Sequence, residues 1–503
     1  MKLILVIDVG TSSMRGILYN FDGEIKNIKQ VLYKPTFLKN NYVEQDPSSW
    51  EEALIKITSE SVDWGKKYGA TIEALSITAQ RSSIIPVNKV GEPLQNAIMW
   101  QDKRTFNICE ELEKYANLIY SCTGSKVNTV FGAPKMKWIK QNQPDLYNHT
   151  YKMLTIADYL IFIMTGNFVT DYTYGSRSLI MNVLTLKWDN EMLELFDVDK
   201  DKLCDLVPQG TVVGITTSEF QCRTGLTNGT PVISAGGDQQ CAALGAGIIE
   251  NGSMNITTGT GSFIQTASDN LNLDIQHRTT CNVSAIPGKY IIESSVLTTS
   301  SICNWFSKNF YDCEEKDETL LYVRMIEEAQ SSPVGSNNVI ALPYFQGRGS
   351  PDWNTLATGM FFNVSLQTTR GDFARSILEG IAMEISENID VITETVGEID
   401  SISVSGGLTK SHLFNQIQAD VYNKKIMLPG NKETTSLGAW ISAAVTLGIY
   451  GTYNAAYNKA EIESDKIIYS PVSDNTKIYN GLILHKKKMY NVLKQGGIYQ
   501  TLQ

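Results

Sequence analysis

Asp8-Val9-Gly10-Thr11-Ser12-Ser13-Met14-Arg15 sets the architecture of this chain. The β-branched run of residues 3–7 leads into it, Met14–Tyr19 leads out, and Asp22-Gly23 turns the chain again. Apolar run, polar turn, apolar run, turn is the pattern of a strand hairpin. A third strand is expected around Val31–Tyr33. Asp46-Pro47 then opens a helix, with Trp50, Ala53, Leu54, Ile57 and Ser61 at helical spacing. Ala74–Thr78 reads as a further strand ending at Gln80-Arg81.

The same grammar returns in the second half. Ser253–Thr258 is a predicted strand, Gly259-Thr260-Gly261-Ser262 a turn, Phe263–Thr266 the returning strand and Tyr290–Glu293 its continuation. Phe373, Ile377, Ile381, Ile385 and Ile389 mark one face of a long helix that Asp372 is placed to cap. Ile402–Val404 runs into Ser405-Gly406-Gly407, and Ser411 opens another helix. Two similar α/β halves imply an internal duplication with its boundary near residue 250 and a site in the cleft between them. The expected division is 1–250, 251–455 and a helical extension over 456–503.

Each hairpin carries anion chemistry. Gly10 lets backbone N–H groups approach a phosphate, Thr11, Ser12 and Ser13 add hydroxyl donors, and Arg15 adds charge. Asp8 at the strand end suits Mg²⁺, directly or through water. Gly259, Thr260 and Gly261 form the second turn, and two such turns across a cleft would hold a triphosphate from both sides. No Gly-x4-Gly-Lys-Ser/Thr stretch exists, so this is not a P-loop chain. Gly406-Gly407 offers a flat backbone surface for an adenine. Gly236-Gly237-Asp238-Gln239-Gln240 is the sharpest catalytic signal, because an Asp after two glycines at a strand end projects with little cover. Transfer of a phosphoryl group to an alcohol needs such a carboxylate to take the hydroxyl proton. The plainer explanation of Asp238 is a helix cap.

The 503 residues are too many for one ordinary core. Apolar residues at 42% and charged residues at 19% fit a folded enzyme. A net charge of −10 without a basic stripe argues against nucleic acid. The run Lys486-Lys487-Lys488 reads as a solvated helix face. The apolar start stops at Asp8, too short for a signal-peptide core, and no membrane-spanning run follows. Eight scattered cysteines read as buried thiols of a reducing cytoplasm, and four dispersed histidines make structural zinc improbable.

Together these segments resemble the FGGY carbohydrate kinase family. The similarity runs from about residue 3 to about residue 455. It takes in Asp8–Arg15, Val43–Pro47, Trp100–Thr105, Lys135–Trp138 and Val169–Thr173, then Gly237–Gln240, Thr258–Phe263, Ser350-Pro351-x-Trp353, Ser376–Gly380 and Ser405–Gly407. The resemblance implies two ribonuclease H-like domains of the actin and hexokinase ATPase type around a central cleft. It implies ATP and Mg²⁺ as cofactors, a small sugar or polyol as acceptor, a cytoplasmic enzyme and a homodimer. It makes Asp238 the catalytic base and Asp8 the magnesium-associated carboxylate, with Asp238 beside the metal as well. It puts Gly10, Thr11, Ser12, Ser13, Arg15, Gly259, Thr260 and Gly261 on phosphates and Gly406, Gly407 and Ser411 on adenosine. Arg81, Trp100, Gln239 and Phe263 fall where glycerol kinases hold their substrate.

Two departures bear on the acceptor. Glycerol kinases carry a glutamate where this chain has Ser82, and a tyrosine where it has Val130. Both lost groups would pair substrate hydroxyls, and a pocket built for such pairing discriminates strongly when partners are missing. The Met-His pair of xylulokinases is absent too. Val169–Trp188 is most similar to glycerol kinases, and the C-terminal helices are equally similar to autoinducer-2 kinases. The expectation is a small polyol or ketose with a more open or less polar binding face. Within the family the alternatives are a glycerol or autoinducer-2-type kinase; outside it, an actin- or chaperone-like nucleotide switch, which requires neither the Asp238 context nor Trp100–Arg104.

Overall fold

Strand β1 (Lys2–Val9) has both faces covered: Leu3, Leu5, Ile7 and Val9 are fully buried on one side, Ile4 and Val6 on the other. An uninterrupted apolar run is what a strand inside a two-faced sheet requires. The computed structural model describes the chain apart from residues 228, 312–317, 431–432, 462–465 and 502–503. β2 (Ser13–Asn20) and β3 (Ile25–Leu32) return antiparallel from β1, and β4 (Thr71–Ala79) lies parallel to it. β5 (Thr211–Ile215) and β6 (Pro231–Gly237) complete a six-stranded sheet of order β5-β6-β4-β1-β2-β3.

The second half repeats this wiring. β7 (Ser253–Thr258) is central and β8 (Ser262–Ser268) its hairpin partner, followed by β9 (Thr280–Val283) and β10 (Tyr290–Val296). β11 (Ser401–Gly406), β12 (Ile426–Leu428) and β13 (Ile467–Tyr469) extend the other side, with β11 parallel to β7. The order is β9-β10-β8-β7-β11-β12-β13. A central strand hairpinned on one side and flanked by a parallel crossover on the other occurs twice, as the duplication predicts.

Helices cover the sheets. α1 (Ser48–Tyr68) and, beyond α2 (Gly132–Asn142), α3 (Ile156–Thr165) pack on the Leu3–Leu5–Ile7 face. The Ile4–Val6 face takes α4 (Asp238–Gly245) from just after β6. In the second half α5 (Arg370–Val396) spans the core and α6 (His412–Tyr422) follows β11. Thr369 caps α5 and Asp372 is its reciprocal partner three residues on, so the cap lies at the threonine rather than at Asp372. α7 (Thr434–Thr446) does not stay with the second half. Its Leu437, Trp440 and Ile441 pack with Ile4, Val6, Ile17 and Tyr19 of the first sheet. Sequence division and spatial division therefore part at this helix. α7 crosses α4 backbone to backbone: a Cβ on Gly245 would stand 1.9 Å from the Thr434 oxygen, and one on Gly438 would stand 1.9 Å from the Cys241 oxygen.

α8 (Ser473–Gln495), in the helical extension, returns to the second half. Residues 462–465 and 502–503 of that extension lie outside the described residues. The solvated lysine face is corrected here. Lys486 is fully buried and pairs with Glu384 and with Glu387, the latter at 2.7 Å, while Tyr479 donates to Glu379 at 2.8 Å. A charge run read along the chain does not reveal that one of its members meets two buried carboxylates of α5. The seven described cysteines are free, five of them buried; Cys222 is exposed and Cys122 half-buried. Among the described residues no helix is long and apolar enough to cross a membrane.

Candidate active site

The β1–β2 hairpin is held in shape by groups from three other segments. Gly10 N donates to Ser13 O at 2.9 Å, closing the turn, and Tyr33 Oη donates to Gly10 O at 2.9 Å. Trp100 Nε1 donates to Thr11 Oγ1 at 3.1 Å, Thr11 Oγ1 donates to Gln80 Oε1 at 3.3 Å, and Gln80 Nε2 donates to Gly10 O at 3.2 Å. Ser12 is left exposed at the tip. Asp8 and Arg15 are register partners on β1 and β2, and Arg15 donates to Asp8 Oδ2 at 2.5 Å. Its other terminal nitrogen donates to Glu433 Oε2 at 2.5 Å, just before α7.

Asp238 owes its position to the two glycines before it. Gly236 has φ +117°, a conformation side chains rarely adopt. Gly237 leaves room for Arg81, because a Cβ there would stand 2.8 Å from Arg81 Cδ. Arg81 therefore passes against bare backbone and brings Nε to 3.5 Å from Asp238 Oδ1, while its terminal nitrogen donates to Gln240 Oε1 at 3.2 Å. Ser82, next along, is buried at φ +70°. Gly237, not Asp238, occupies the capping position of α4, so the helix-cap explanation of this carboxylate is set aside. Asp238 instead accepts from the Gln239 amide at 2.7 Å and keeps a quarter of its side chain exposed. Behind it, Asp171 accepts from Thr173 N at 2.8 Å and from Ser234 Oγ at 2.5 Å, and Thr173 Oγ1 accepts from Gly237 N at 2.8 Å. Tyr174 Oη donates to Gly236 O at 3.0 Å.

The second half supplies the facing wall. Gly259 N donates to Gly261 O at 2.8 Å, and Ser300 N and Thr299 Oγ1 donate to Gly259 O at 3.0 and 2.8 Å. Thr260 is exposed at this tip. Thr258 pairs with Gly406, which joins the turn to the Gly406-Gly407 platform. Gly406 has φ +98° and lies so close to β7 that a Cβ would stand 2.2 Å from Thr258 O, whereas Gly407 faces open space. Ser411 is buried and caps α6 by accepting from Phe414 N at 3.3 Å, so it supports the platform from beneath. Phe263 and Gln265 on β8 lie opposite Ser295 and Glu293 on β10, so all four share one face. Gln265 Nε2 donates to Glu293 Oε2 at 2.9 Å. Glu293 then reaches across to the first half, 3.9 Å from Arg81 and 4.0 Å from Arg177. Val130 sits in the loop before α2, its carbonyl accepting from the buried Lys135 at 2.7 Å, and the next ring, Phe131, lies 4.5 Å beneath the Arg177 guanidinium.

Burial dominates the electrostatics. It pushes Asp238 up to about 6, against the lowering effect of Arg81 and with a raising contribution from Asp8. It raises Asp8 as well, again opposed by Arg15. Asp238 and Asp8, the latter giving only Oδ2 to an arginine, are oxygen donors of the kind that suit a hard dication. Among the described residues no group of three or more His, Cys, Asp or Glu could hold a metal. A cation at Asp8 and Asp238 would then complete its shell with phosphate oxygens and water, the usual habit of Mg²⁺.

Sequence reasoning gives no role to Gln240, Arg177, Gln265, Glu293 or Glu433. Their contacts join the two halves or distant loops, and no local spacing encodes them. The family resemblance takes in Val169–Thr173, and its buried Asp171 and Thr173 are what brace Gly237.

The chain is similar to known proteins in sequence and in fold. The chain matches the FGGY family of carbohydrate kinases, N-terminal domain, over residues 3–245 and the C-terminal domain over residues 254–447. It is 30% identical over 490 residues to a glycerol kinase of Thermococcus kodakarensis, covering 95% of each chain. Its backbone superimposes on a gluconate kinase from Lactobacillus acidophilus with a TM-score of 0.93, at 25% identity and 100% coverage of both chains. It superimposes on Plasmodium falciparum glycerol kinase with ADP with a TM-score of 0.90, at 27% identity and 98% coverage of both.

Proposed function

The chain belongs to the FGGY family of carbohydrate kinases, and on that premise we propose that Asp238 is the base that activates the acceptor hydroxyl. The enzyme phosphorylates an alcohol group of a small sugar or polyol, and as a kinase it draws the phosphoryl group from ATP. The observation that supports the base assignment is the placement of Asp238: partly exposed at the cleft, unused as a cap, and braced from behind by Asp171, Thr173 and Tyr174. In the step, the acceptor oxygen forms a bond to the γ-phosphorus as the bond to the β-phosphate oxygen breaks. The hydroxyl proton passes to the Asp238 carboxylate and ADP leaves.

The nucleotide is assigned to the two hairpins. Gly10, Thr11, Ser12, Ser13 and Arg15 face its phosphates from the first half, with Gly259, Thr260 and Gly261 opposite. Gly406 and Gly407, supported by Ser411, take the adenosine. Asp8 and Asp238 would hold Mg²⁺, which supplies charge neutralisation to the phosphates. The acceptor is assigned to Arg81, Ser82, Trp100, Val130, Gln239 and Phe263. Residues 1–250 then carry most acceptor contacts and one phosphate hairpin, 251–455 carry the other hairpin, the adenosine platform and Phe263, and α8 of the 456–503 extension braces the second half. A cytoplasmic homodimer without nucleic-acid or membrane partners is the accompanying proposal, and sedimentation of the purified chain tests the dimer.

The relatives named above act on neutral polyols in some cases and on a sugar acid in another, so the acceptor class is open within the family. Asp238→Asn tests the base. It removes the proton acceptor and keeps the shape, so turnover is expected to fall by about 10²–10⁴-fold with ATP affinity retained. Residual turnover within tenfold of the parent would overturn the assignment.

A further inference from the structure

We propose that Arg177 receives a carboxylate of the acceptor, so that the preferred acceptor is a polyhydroxy acid of the aldonate class rather than the matching neutral polyol. This rests on the reading of Asp238 as the base of the same pocket.

Arg177 is more than nine-tenths buried, yet its guanidinium makes no hydrogen bond among the described residues, and its Nε is left without a partner. Its nearest carboxylate oxygen, Glu293 Oε1, stands 4.0 Å away, an ion pair too long for a hydrogen bond, while Gln265 holds the other oxygen, Oε2, at 2.9 Å. Burying a cation without hydrogen bonds is costly, and buried charges are normally paired. Arg81, its neighbour, differs in having Gln240 and Asp238 as partners. The Arg177 guanidinium carbon lies over the Phe131 ring, 4.5 Å from its centre, a cation–π contact that holds the group in place. Burial and the repulsion of Arg81 draw its pKa down to about 9, outweighing the opposing pull of Glu293 and Asp238.

Among the described residues no side chain closes a hydrogen bond on the guanidinium. Ser82 is short and neutral, and its hydroxyl donates to the Arg177 carbonyl at 3.3 Å. A planar monoanion on the acceptor matches the guanidinium with two parallel hydrogen bonds. A phosphate in that place would bring a second negative charge toward Glu293 and Asp238. A carboxylate held there leaves the hydroxyls of the same molecule to face Asp238 and the γ-phosphate. The carboxylate itself is unchanged in the reaction, and the product is the phosphorylated acid.

The test is an ADP-release assay on the full chain with Mg-ATP and matched pairs of equal carbon number, such as glycerate with glycerol, erythronate with erythritol and gluconate with glucitol. At least one acid is expected to exceed its alditol in kcat/KM by about 100-fold or more. Arg177→Gln should abolish that preference, chiefly through a higher KM for the acid, and Arg177→Lys should restore part of it. Ser82→Glu, which sets a protein carboxylate beside Arg177, should reverse the preference while the variant stays folded. Neutral polyols or ketoses turned over better than every acid would overturn the inference and leave the kinase reading intact. So would an Arg177→Gln enzyme that keeps its acid preference. Should the Arg177 variants fail to fold, the parent ratio and Ser82→Glu still decide. An enzyme that binds ATP and phosphorylates neither class would overturn both readings.

Discussion

Burial keeps Asp238 protonated up to about pH 6, and only its ionised form can take a proton from a hydroxyl. Turnover should therefore be present above that value and be lost as pH falls through it. Arg81 works against the burial, so removing its charge should carry the acid limb to higher pH. A pH profile of kcat/KM for Arg81→Met is expected to show the limb shifted upward whatever its height; an unmoved limb would mean that Arg81 does not tune the base. Asp238 was legible because two glycines before a lone acid are a local signal. Arg177 and Glu293 were not, because each matters only through a side chain on a different strand or loop. Lys486 shows the converse failure: three successive lysines suggested solvent, and two carboxylates on α5 decided otherwise.

Among the elements, the hairpins were read almost to the residue. Strand, glycine turn and strand form a contiguous code, and β7 runs over the predicted Ser253–Thr258. What each glycine does within a turn needed coordinates. A Cβ on Gly259 would have no neighbour nearer than 3.8 Å, whereas one on Gly261 would press to 2.6 Å from Val296 O. Two valine substitutions in the same turn should thus separate binding from folding. Gly259→Val is expected to keep the parent melting temperature and to weaken ATP by about tenfold or more, since the new side chain projects where a phosphate would lie. Gly261→Val should cost about 1–3 kcal/mol of stability through overpacking. Calorimetric titration with ATP, paired with thermal melts, checks both, and equal melting temperatures for the two variants would refute the distinction.

For the molecule as a whole, the duplication was visible because each half begins with the same pattern. The path of the last helices was not, because an apolar helix does not announce which sheet it will cover. α8 fastens to α5 through Lys486, and Lys486→Met leaves Glu384 and Glu387 buried with one cation fewer. A loss of roughly 3–5 kcal/mol is expected from breaking such a cluster, read as a lowered melting transition, and an unshifted transition would show the pair to be dispensable. α7 has a different consequence, one for synthesis. The face of the first sheet formed by Ile4, Val6, Ile17 and Tyr19 is closed by a helix made nearly two hundred residues after α4. At ordinary translation speeds that is a delay of roughly 10–40 s. Throughout it the nascent first half presents an apolar surface that α4 alone covers, a natural landing place for a chaperone, and a chain released before residue 446 would keep the rest of that surface open.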